Sequence, residues 1–475
     1  MVDGQFVRAK IVCTIGPASE HPETMEAMAR AGMDVARVNL SHGDLGSHRR
    51  VLDALREIEG VSMLIDLPGP KIRIGDVDGG VHLRRGDSVH FTTRPVLGDE
   101  KELSVSYGRL PREMAVGGSM FIDDGLIEIS VTSIDDDLEG FQGTVVSGGE
   151  VTRHKGINVP GADLTVRTPT ESDLKGIQFG IDLCDWFAVS FVRVGQDVEA
   201  ARRAIAEAGG DQPVVSKIEH REAITNIDEI IWASDGVMIA RGDLGIEVPP
   251  WEVPLLQKTI IGKCNAAGKP VIVATQMLES MATSPRPTRA EASDVANAIL
   301  DGADAVMLSG ETAVGLFPVE AVRVMNEISR TVERGAPARG AREHIEGTIP
   351  DVIGDLAARA TDTVDPAAII VVTRSGFTAR MVSKHRPPTR ILTVARSQDV
   401  LRRTRLYWGV EPLDVPWSDD RDVLLVRAIS RSLEEGLIER SDVVLIVSGS
   451  TLEAPGGTST LEILSVEDVL SHASK

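Results

Sequence analysis

Between Lys10 and about Glu333 the chain repeats one pattern eight times: a short apolar run, then an amphipathic stretch of helical period. The runs are KIVCTIG, DVARVNL, VSMLIDL, DWFAVSF, PVVSKIE, DGVMIARG, KPVIVATQ and ADAVMLSG. Eight strands alternating with helices is the count of a (β/α)8 TIM barrel. Helices are expected over Pro22–Ala31, Val198–Ala208 and Arg289–Leu300. Thr288 is placed to cap the last of these, with Glu291 three residues on as in a capping box.

One interruption, from about Lys71 to Asp163, has a different texture. VHLRRGDSVHFTT, GSMFIDDGLIEISV and FQGTVVSGG are short alternating stretches broken by Gly and Asp, the signature of an antiparallel β insert. Asp123-Asp124-Gly125 would make a tight turn within it. Beyond Ser329 the segment ERGAPARGAREHIEG reads as a linker, and a second α/β unit follows with strands AAIIVVT, RILTVA and DVVLIVSG. The expected division is 1–70 with 164–340 as barrel, 71–163 as a small inserted β-barrel lid, and 345–475 as a C-terminal α/β unit.

Composition narrows the function. Hydrophobic residues make up 42% of 475 but aromatics only 3%, so cores must be built from aliphatic side chains. No apolar run is long enough to span a membrane and the N-terminus lacks a signal-peptide pattern, so a cytoplasmic protein is expected. Cys13, Cys184 and Cys264 are widely spaced, which suits reduced buried thiols rather than disulfides or zinc ligands. A net charge of −21 argues against nucleic-acid binding. The basic residues are 39 Arg to 11 Lys; an acidic, lysine-poor surface fits a salt-rich cytoplasm or a biased genome equally.

The chemistry gathers where apolar runs turn charged. Lys217 and Glu219 end one run, Arg241 and Asp243 the next, each pair two apart and so on one face of a strand. Other runs end in Arg37, Asn39, Ser41 and His42; in Asp66, Lys71 and Arg73; in Thr275 and Gln276; and in Ser309 and Glu311. In a closed barrel these ends share one mouth. Glu219 and Asp243 are hard oxygen donors suited to Mg2+ or Mn2+, and Arg37, Arg73 and Lys217 are cations for phosphate or carboxylate. No Ser-His-Asp set or zinc-type His pair stands at these ends, so phosphoryl transfer or enolate chemistry fits better than acyl transfer. No Walker A or kinase glycine loop is present.

TIGPAS (14–19), ARVNLSHG (36–43), SKIE (216–219), ARGDLG (240–245), ATQMLESM (274–281), RPTRAEASDVANAILDGADAVMLSGETA (286–313) and NVPG (158–161) closely resemble pyruvate kinase. The resemblance covers essentially the whole chain. It implies phosphoryl transfer from phosphoenolpyruvate to ADP, giving pyruvate and ATP, the last step of glycolysis. Carried over by motif, Lys217 would steady the phosphoryl group, and Glu219 and Asp243 would hold the divalent ion. Gly242, Asp243 and Thr275 would grip the substrate carboxylate, with Thr275 near the enolate that is protonated. Arg37 and Arg73 would reach phosphate, and Arg73, Asn39, Ser41, His42 and Lys155 would line the nucleotide side. The insert would act as a lid excluding water.

Two departures from the family pattern stand out. Potassium-dependent members read Asp-Thr-Lys-Gly-Pro-Glu after the third strand; here Asp66-Leu67-Pro68-Gly69-Pro70-Lys71 ends in lysine. The monovalent-cation positions would be the side chains of Asn39, Ser41 and Asp66 and the Leu67 carbonyl. A Lys71 ammonium near them would replace K+, so no K+ requirement is expected. Val314-Gly315 stands where many relatives have Lys-Gly. Thr373, Arg374, Ser375, Gly376 and Thr378, between a strand and a helix, suit a structural turn or a phosphorylated effector equally. His21, His48, His344 and His472 read as structural or exposed, Trp186 and Trp232 as core, Trp408 and Trp417 as packing in the C-terminal unit, and Asp135–Asp137 as a solvated turn. The family implies a homotetramer. Another Mg2+-dependent barrel enzyme acting on phosphoenolpyruvate or pyruvate would not need the lid or NLSH. A silent metabolite sensor would have lost Lys217, Glu219, Asp243 or Thr275.

Overall fold

The computed structural model describes residues 6–123, 125–162, 164–335, 347–449 and 457–473. Of the expected linker Glu333–Gly347, residues 336–346 lie outside them, as do His344 and Asp124 of the expected turn, while its first residues are not linker but the last turn of a helix, Pro318–Gly335. All eight anticipated strands form: β1 (Lys10–Ile15), β2 (Val35–Asn39), β3 (Ser62–Leu67), β4 (Trp186–Val189), β5 (Val214–Ile218), β6 (Gly236–Ala240), β7 (Val271–Ala274) and β8 (Ala305–Leu308). They close into a barrel in the order β1-β8-β7-β6-β5-β4-β3-β2, every neighbour parallel.

Strand period assigns the two faces. Val12, Val35, Leu64, Trp186, Ala188, Val215, Met238, Ile272 and Ala305 belong to one buried cluster. Their neighbours Ile11, Cys13, Ala36, Ile65, Phe187, Val214 and Val306 belong to another, packed with the surrounding helices. Each large aliphatic side chain so buried contributes roughly 1.5–3 kcal/mol. Helices Pro22–Ala31 and Arg289–Leu300 have the expected bounds, whereas the third begins earlier, at Gly195. Helix Ile227–Ala233 buries Ile227, Ile230 and Ile231. Trp232 therefore points away and is 85% exposed, contrary to the core placement expected for it. All three cysteines are buried and free.

The insert leaves after β3 and returns before β4. Its main sheet has seven strands, ordered Ile72–Arg73, Gly156–Asn158, Ser119–Ile122, Ile127–Ile134, Gly140–Ser147, Ser88–Thr92 and Glu102–Ser104. The last pair is parallel, which an all-antiparallel reading did not anticipate. The bridge Ile74 to Val105 joins the two edges, with Gly75 N–H to Ser104 O at 2.8 Å and Ser106 N–H to Arg73 O at 2.9 Å. The sheet thus curls back on itself around the stacked rings of Phe91 and Phe141. In the expected Asp123–Gly125 turn, Leu126 N–H donates to Asp123 O.

The C-terminal sheet has five strands: β9 (Ala368–Thr373), β10 (Ile391–Ala395), β11 (Val410–Pro412), β12 (Val443–Ser448) and β13 (Thr460–Ser465). Their order is β11-β10-β9-β12-β13, the last pair antiparallel. β11 and β13 escaped the sequence reading because β11 is three residues long and β13 is buried on neither face. This unit docks against the N-terminal end of the barrel. Arg386 there makes two bonds to Asp304, at 2.7 and 2.9 Å, one to Asn265 Oδ1 at 2.8 Å, and lies over Trp408. Trp186 meets Tyr407 edge-on and donates to Arg403 O. Trp408 packs with the barrel cluster rather than within its own unit, while Trp417 packs as expected and donates to Asp419.

Candidate active site

The inward face of strands β1 to β5 is apolar at its start and polar at its end, whereas β7 and β8 stay apolar through Ala274 and Met307. Val12 leads to Thr14, Val35 to Arg37, Leu64 to Asp66, Ala188 to Ser190 and Val215 to Lys217, so these side chains converge at the C-terminal mouth. Arg37 reaches Asp66 Oδ2 through Nε at 2.7 Å and Nη2 at 2.6 Å, and donates from Nη1 to Thr14 Oγ1 at 2.8 Å. Lys217 Nζ stands 2.8 Å from Glu219 Oε1, 2.8 Å from Ser190 Oγ and 3.3 Å from Asp66 Oδ1. Asp66, Lys217 and Glu219 are all buried.

Electrostatics follow from that packing. Burial works to discharge Lys217, but Asp66 and Glu219 outweigh it and hold the ammonium above its ordinary range. Burial opposes ionisation of Asp66 as well, yet Lys217 and Arg37 keep it below the usual carboxylate value. Glu219 goes the other way: burial and the charge of Asp243 push its carboxyl up, against Lys217. A buried carboxyl pushed up by a neighbouring carboxylate calls for a cation beside it. Among the described residues no group of three or more His, Cys, Asp or Glu side chains forms a closed metal cage. A pair of carboxylates fits Mg2+ or Mn2+, which keep waters and take substrate oxygens.

Asp243 and Gly242 lie in the first turn of helix Arg241–Glu247, not on strand β6. The expectation that Arg241 and Asp243 share a strand face is therefore overturned. Arg241 turns aside to Asp294 at 2.7 Å and to the Thr275 carbonyl at 2.8 Å, where it braces the loop after β7. In that loop Thr275 and Gln276 have φ of 70° and 54°, a left-handed backbone that costs of order 1–3 kcal/mol per residue. The Thr275 hydroxyl accepts from Gly242 N–H at 2.7 Å, which joins the two expected carboxylate-gripping elements. Glu311 is a brace, accepting from Leu278 and Ser309 N–H groups.

The other side of the mouth is looser. Asn39 Oδ1 accepts from Ser41 N–H at 3.0 Å, and Leu67 O accepts from the Ser190 hydroxyl at 2.7 Å. His42 is exposed at the rim. Partial burial, then the charges of Arg73, Lys71 and Arg37, push its imidazole below the ordinary value. Arg73 donates to His154 O, and Lys155 pairs with Asp123 at 2.7 Å, both on the insert. The Lys71 stem crosses Gly156, where an added Cβ would lie 2.6 Å from Cε. No carboxylate of the described residues pairs with the Lys71 ammonium, and Asp66 is taken by Arg37 and Lys217.

In the C-terminal unit Thr373 ends β9 and accepts from Gly376 N–H at 3.1 Å, and Arg374 and Ser375 are exposed. Thr378 Oγ1 meets Thr458 Oγ1 at 2.8 Å. His48 bonds the His42 carbonyl, His472 bonds Asp468 O, and His21 is exposed. Asp135 is not merely solvated, because its carboxylate takes His90 Nε2 at 2.8 Å. Sequence reading missed Thr14, Ser190 and Phe191. The signal for Ser190 was present, since it continues the inward series Trp186, Ala188.

Residues 6–322 match the family described as pyruvate kinase, barrel domain, and residues 351–464 that described as pyruvate kinase, alpha/beta domain. Curated relatives named "Pyruvate kinase" from Geobacillus stearothermophilus and Sporosarcina psychrophila are 42% and 41% identical, each over 98% of this chain and 81% of their own length. "Pyruvate kinase 2" of Synechocystis is 42% identical over 98% of this chain and 80% of its own.

Proposed function

The chain belongs to the pyruvate kinase family of phosphotransferases, and on that premise we propose that it moves the phosphoryl group of phosphoenolpyruvate to ADP, giving pyruvate and ATP in the closing reaction of glycolysis. The observation that carries this is the buried Lys217 ammonium between Asp66 and Glu219. A loose phosphoryl-transfer transition state needs fixed positive charge more than a nucleophile.

Lys217, held charged, faces the phosphoryl oxygens, with Arg37 and Arg73 adding charge from either side. Glu219 and Asp243 hold Mg2+ or Mn2+, which when bound supplies charge neutralisation and orients the substrate oxygens. Gly242, Asp243 and Thr275 receive the carboxylate, and Thr275 stands by the carbon that takes a proton. Asn39, Ser41, His42, Arg73 and Lys155 form the nucleotide side. Residues 1–70 and 164–340 make the catalytic unit, 71–163 the lid and 345–475 the regulatory unit, where Thr373, Arg374, Ser375, Gly376 and Thr378 await a phosphorylated effector.

The enzyme works without K+, because Lys71 brings a cation to the side of the mouth where its charge is felt by His42. Exposed Trp232, Trp251 and Leu255, with Ile349, Val352 and Leu356 along one helix, support assembly into a homotetramer. No described helix is long and apolar enough to cross a membrane, and soluble substrates suit a cytoplasmic enzyme.

The test is pyruvate formation from phosphoenolpyruvate and ADP with Mg2+, first in K+-free buffer, with Lys217→Met as the inactive control. Turnover that K+ raises less than twofold is expected. Turnover only with K+ keeps the reaction and removes the role of Lys71. No turnover by folded protein, with sugar phosphates and nucleotides supplied, overturns the assignment.

A further inference from the structure

Just past β4 the chain makes contacts that none of the motifs marks. Ser190 is 2% exposed. Its hydroxyl accepts from Lys217 Nζ at 2.8 Å and donates to Leu67 O at 2.7 Å. Because the proton goes to Leu67 O, or at 3.3 Å to Asp66 Oδ1, an oxygen lone pair is left facing the ammonium. The next residue, Phe191, donates its N–H to Glu219 Oε2 at 2.8 Å. Lys217 takes the other carboxylate oxygen, Oε1, at 2.8 Å. Two successive residues thus fix both members of the Lys217–Glu219 pair.

Phe191 holds this position with φ of 55°, a conformation an aromatic residue keeps only when its surroundings impose it. The surroundings are the hinge of the insert. The ring lines a cavity of about 40 Å³ with Pro70 and Ile72 on the outgoing chain and Asn158, Leu164 and Val166 on the returning one. From outside, the Pro68–Pro70 turn presses close: a Cβ on Gly69 would fall 2.8 Å from Ser190 Cβ and 3.0 Å from Phe191 Cδ2. Two residues on, Arg193 donates to the carbonyls of Leu164 and Val166. One short segment therefore touches both hinge strands with side chains and the catalytic pair with a hydroxyl and an amide.

We propose that Ser190 and Phe191 are positioning residues: Ser190 aims the Lys217 ammonium, and Phe191, seated in the hinge, sets the Glu219 carboxylate for the divalent cation. Phe191 thereby couples the packing of the lid hinge to metal affinity. This rests on the assignment of Glu219 as a metal ligand, but not on the identity of the substrate.

The deciding measurement is Mn2+ binding to the full chain without substrate or nucleotide, followed by electron paramagnetic resonance. Phe191→Gly keeps the N–H and accepts the positive φ freely, but removes the ring that seats it. The dissociation constant is expected to rise about tenfold, and Ile72→Ala, which loosens the hinge packing without touching Glu219 or the Phe191 backbone, should raise it about threefold. Phe191→Leu serves if the glycine variant does not fold. Ser190→Ala should lower kcat at least tenfold with KM for phosphoenolpyruvate little changed, and Ser190→Thr should restore most of it. Folded Phe191 and Ile72 variants that bind Mn2+ as tightly as wild type, or an Ser190→Ala enzyme with unchanged kcat, overturn the proposal. Wild type that binds Mn2+ but does not turn over phosphoenolpyruvate would instead overturn the reaction, leaving the metal measurement to stand by itself.

Discussion

Glu247 shows how much a single buried carboxyl can impose. It closes the helix that begins at Arg241 and faces the hinge cavity, with His220 Nε2 3.6 Å from its Oε2. Burial pushes its carboxyl up to about 7 from 4.5, a bond from the Arg221 backbone working against this and Asp243 adding to it. A group that holds its proton more tightly when folded stabilises the fold at low pH, and the benefit drains away as pH rises from 4.5 to 7. The loss is on the order of 3 kcal/mol. Glu247→Gln, neutral at every pH, should lack the Glu247 share of the decline that wild type shows between pH 5 and 7.5, and so lose stability less steeply there. Equal slopes in urea titrations of the two proteins would show that Glu247 does not titrate there. At the same scale, sequence made Lys217, Asp66 and Thr275 visible because each ends an apolar run. Phe191 was invisible, since its contribution is a backbone N–H that any residue except proline carries.

Elements repeat the lesson with their ends. The helix Arg289–Leu300 was legible to the residue because its start is written chemically. Thr288 Oγ1 accepts from Glu291 N–H at 3.2 Å, and Glu291 returns to Thr288 N–H at 2.7 Å. The same carboxylate also takes Ser280 N–H at 2.8 Å, so the cap ties the helix to the turn after β7. Thr288→Ala should cost about 1 kcal/mol, read as a lower denaturant midpoint at unchanged slope, with Thr288→Ser close to wild type. An unaltered midpoint would mean that tertiary contacts alone hold this helix end. Strand β6 carried no such end signal. GVMIARGD continues a strand pattern on paper, yet the chain enters a helix at Arg241 because its guanidinium finds Asp294 and the Thr275 carbonyl across the mouth.

At the scale of the molecule, the C-terminal unit meets the barrel through a shared apolar cluster and several ion pairs. Arg386, itself at φ 50°, spans the floor of the barrel with two bonds to Asp304. Removing one partner of a buried ion pair leaves the other uncompensated, at a cost of about 3–5 kcal/mol. Arg386→Ala should therefore split calorimetric unfolding into two transitions, with the C-terminal unit melting first. A single transition at the wild-type temperature would mean that Trp186, Tyr407 and the surrounding apolar contacts suffice. The mouth that holds Lys217 and Glu219 lies at the opposite end of the barrel, so the variant should keep its Mn2+ affinity.

By itself the sequence determined the eightfold strand and helix order, the barrel it closes, the insert and the polar strand ends. These depend on short-range periodicity, and period decides which face is buried before any contact is known. Only the tertiary structure decided that Arg241 braces a loop, that Trp232 faces outward, that Lys155 pairs within the insert, and that Ser190 and Phe191 bond Lys217 and Glu219. Each is a contact between residues far apart in the chain, governed by what the next element packs against rather than by the pattern of its own neighbours.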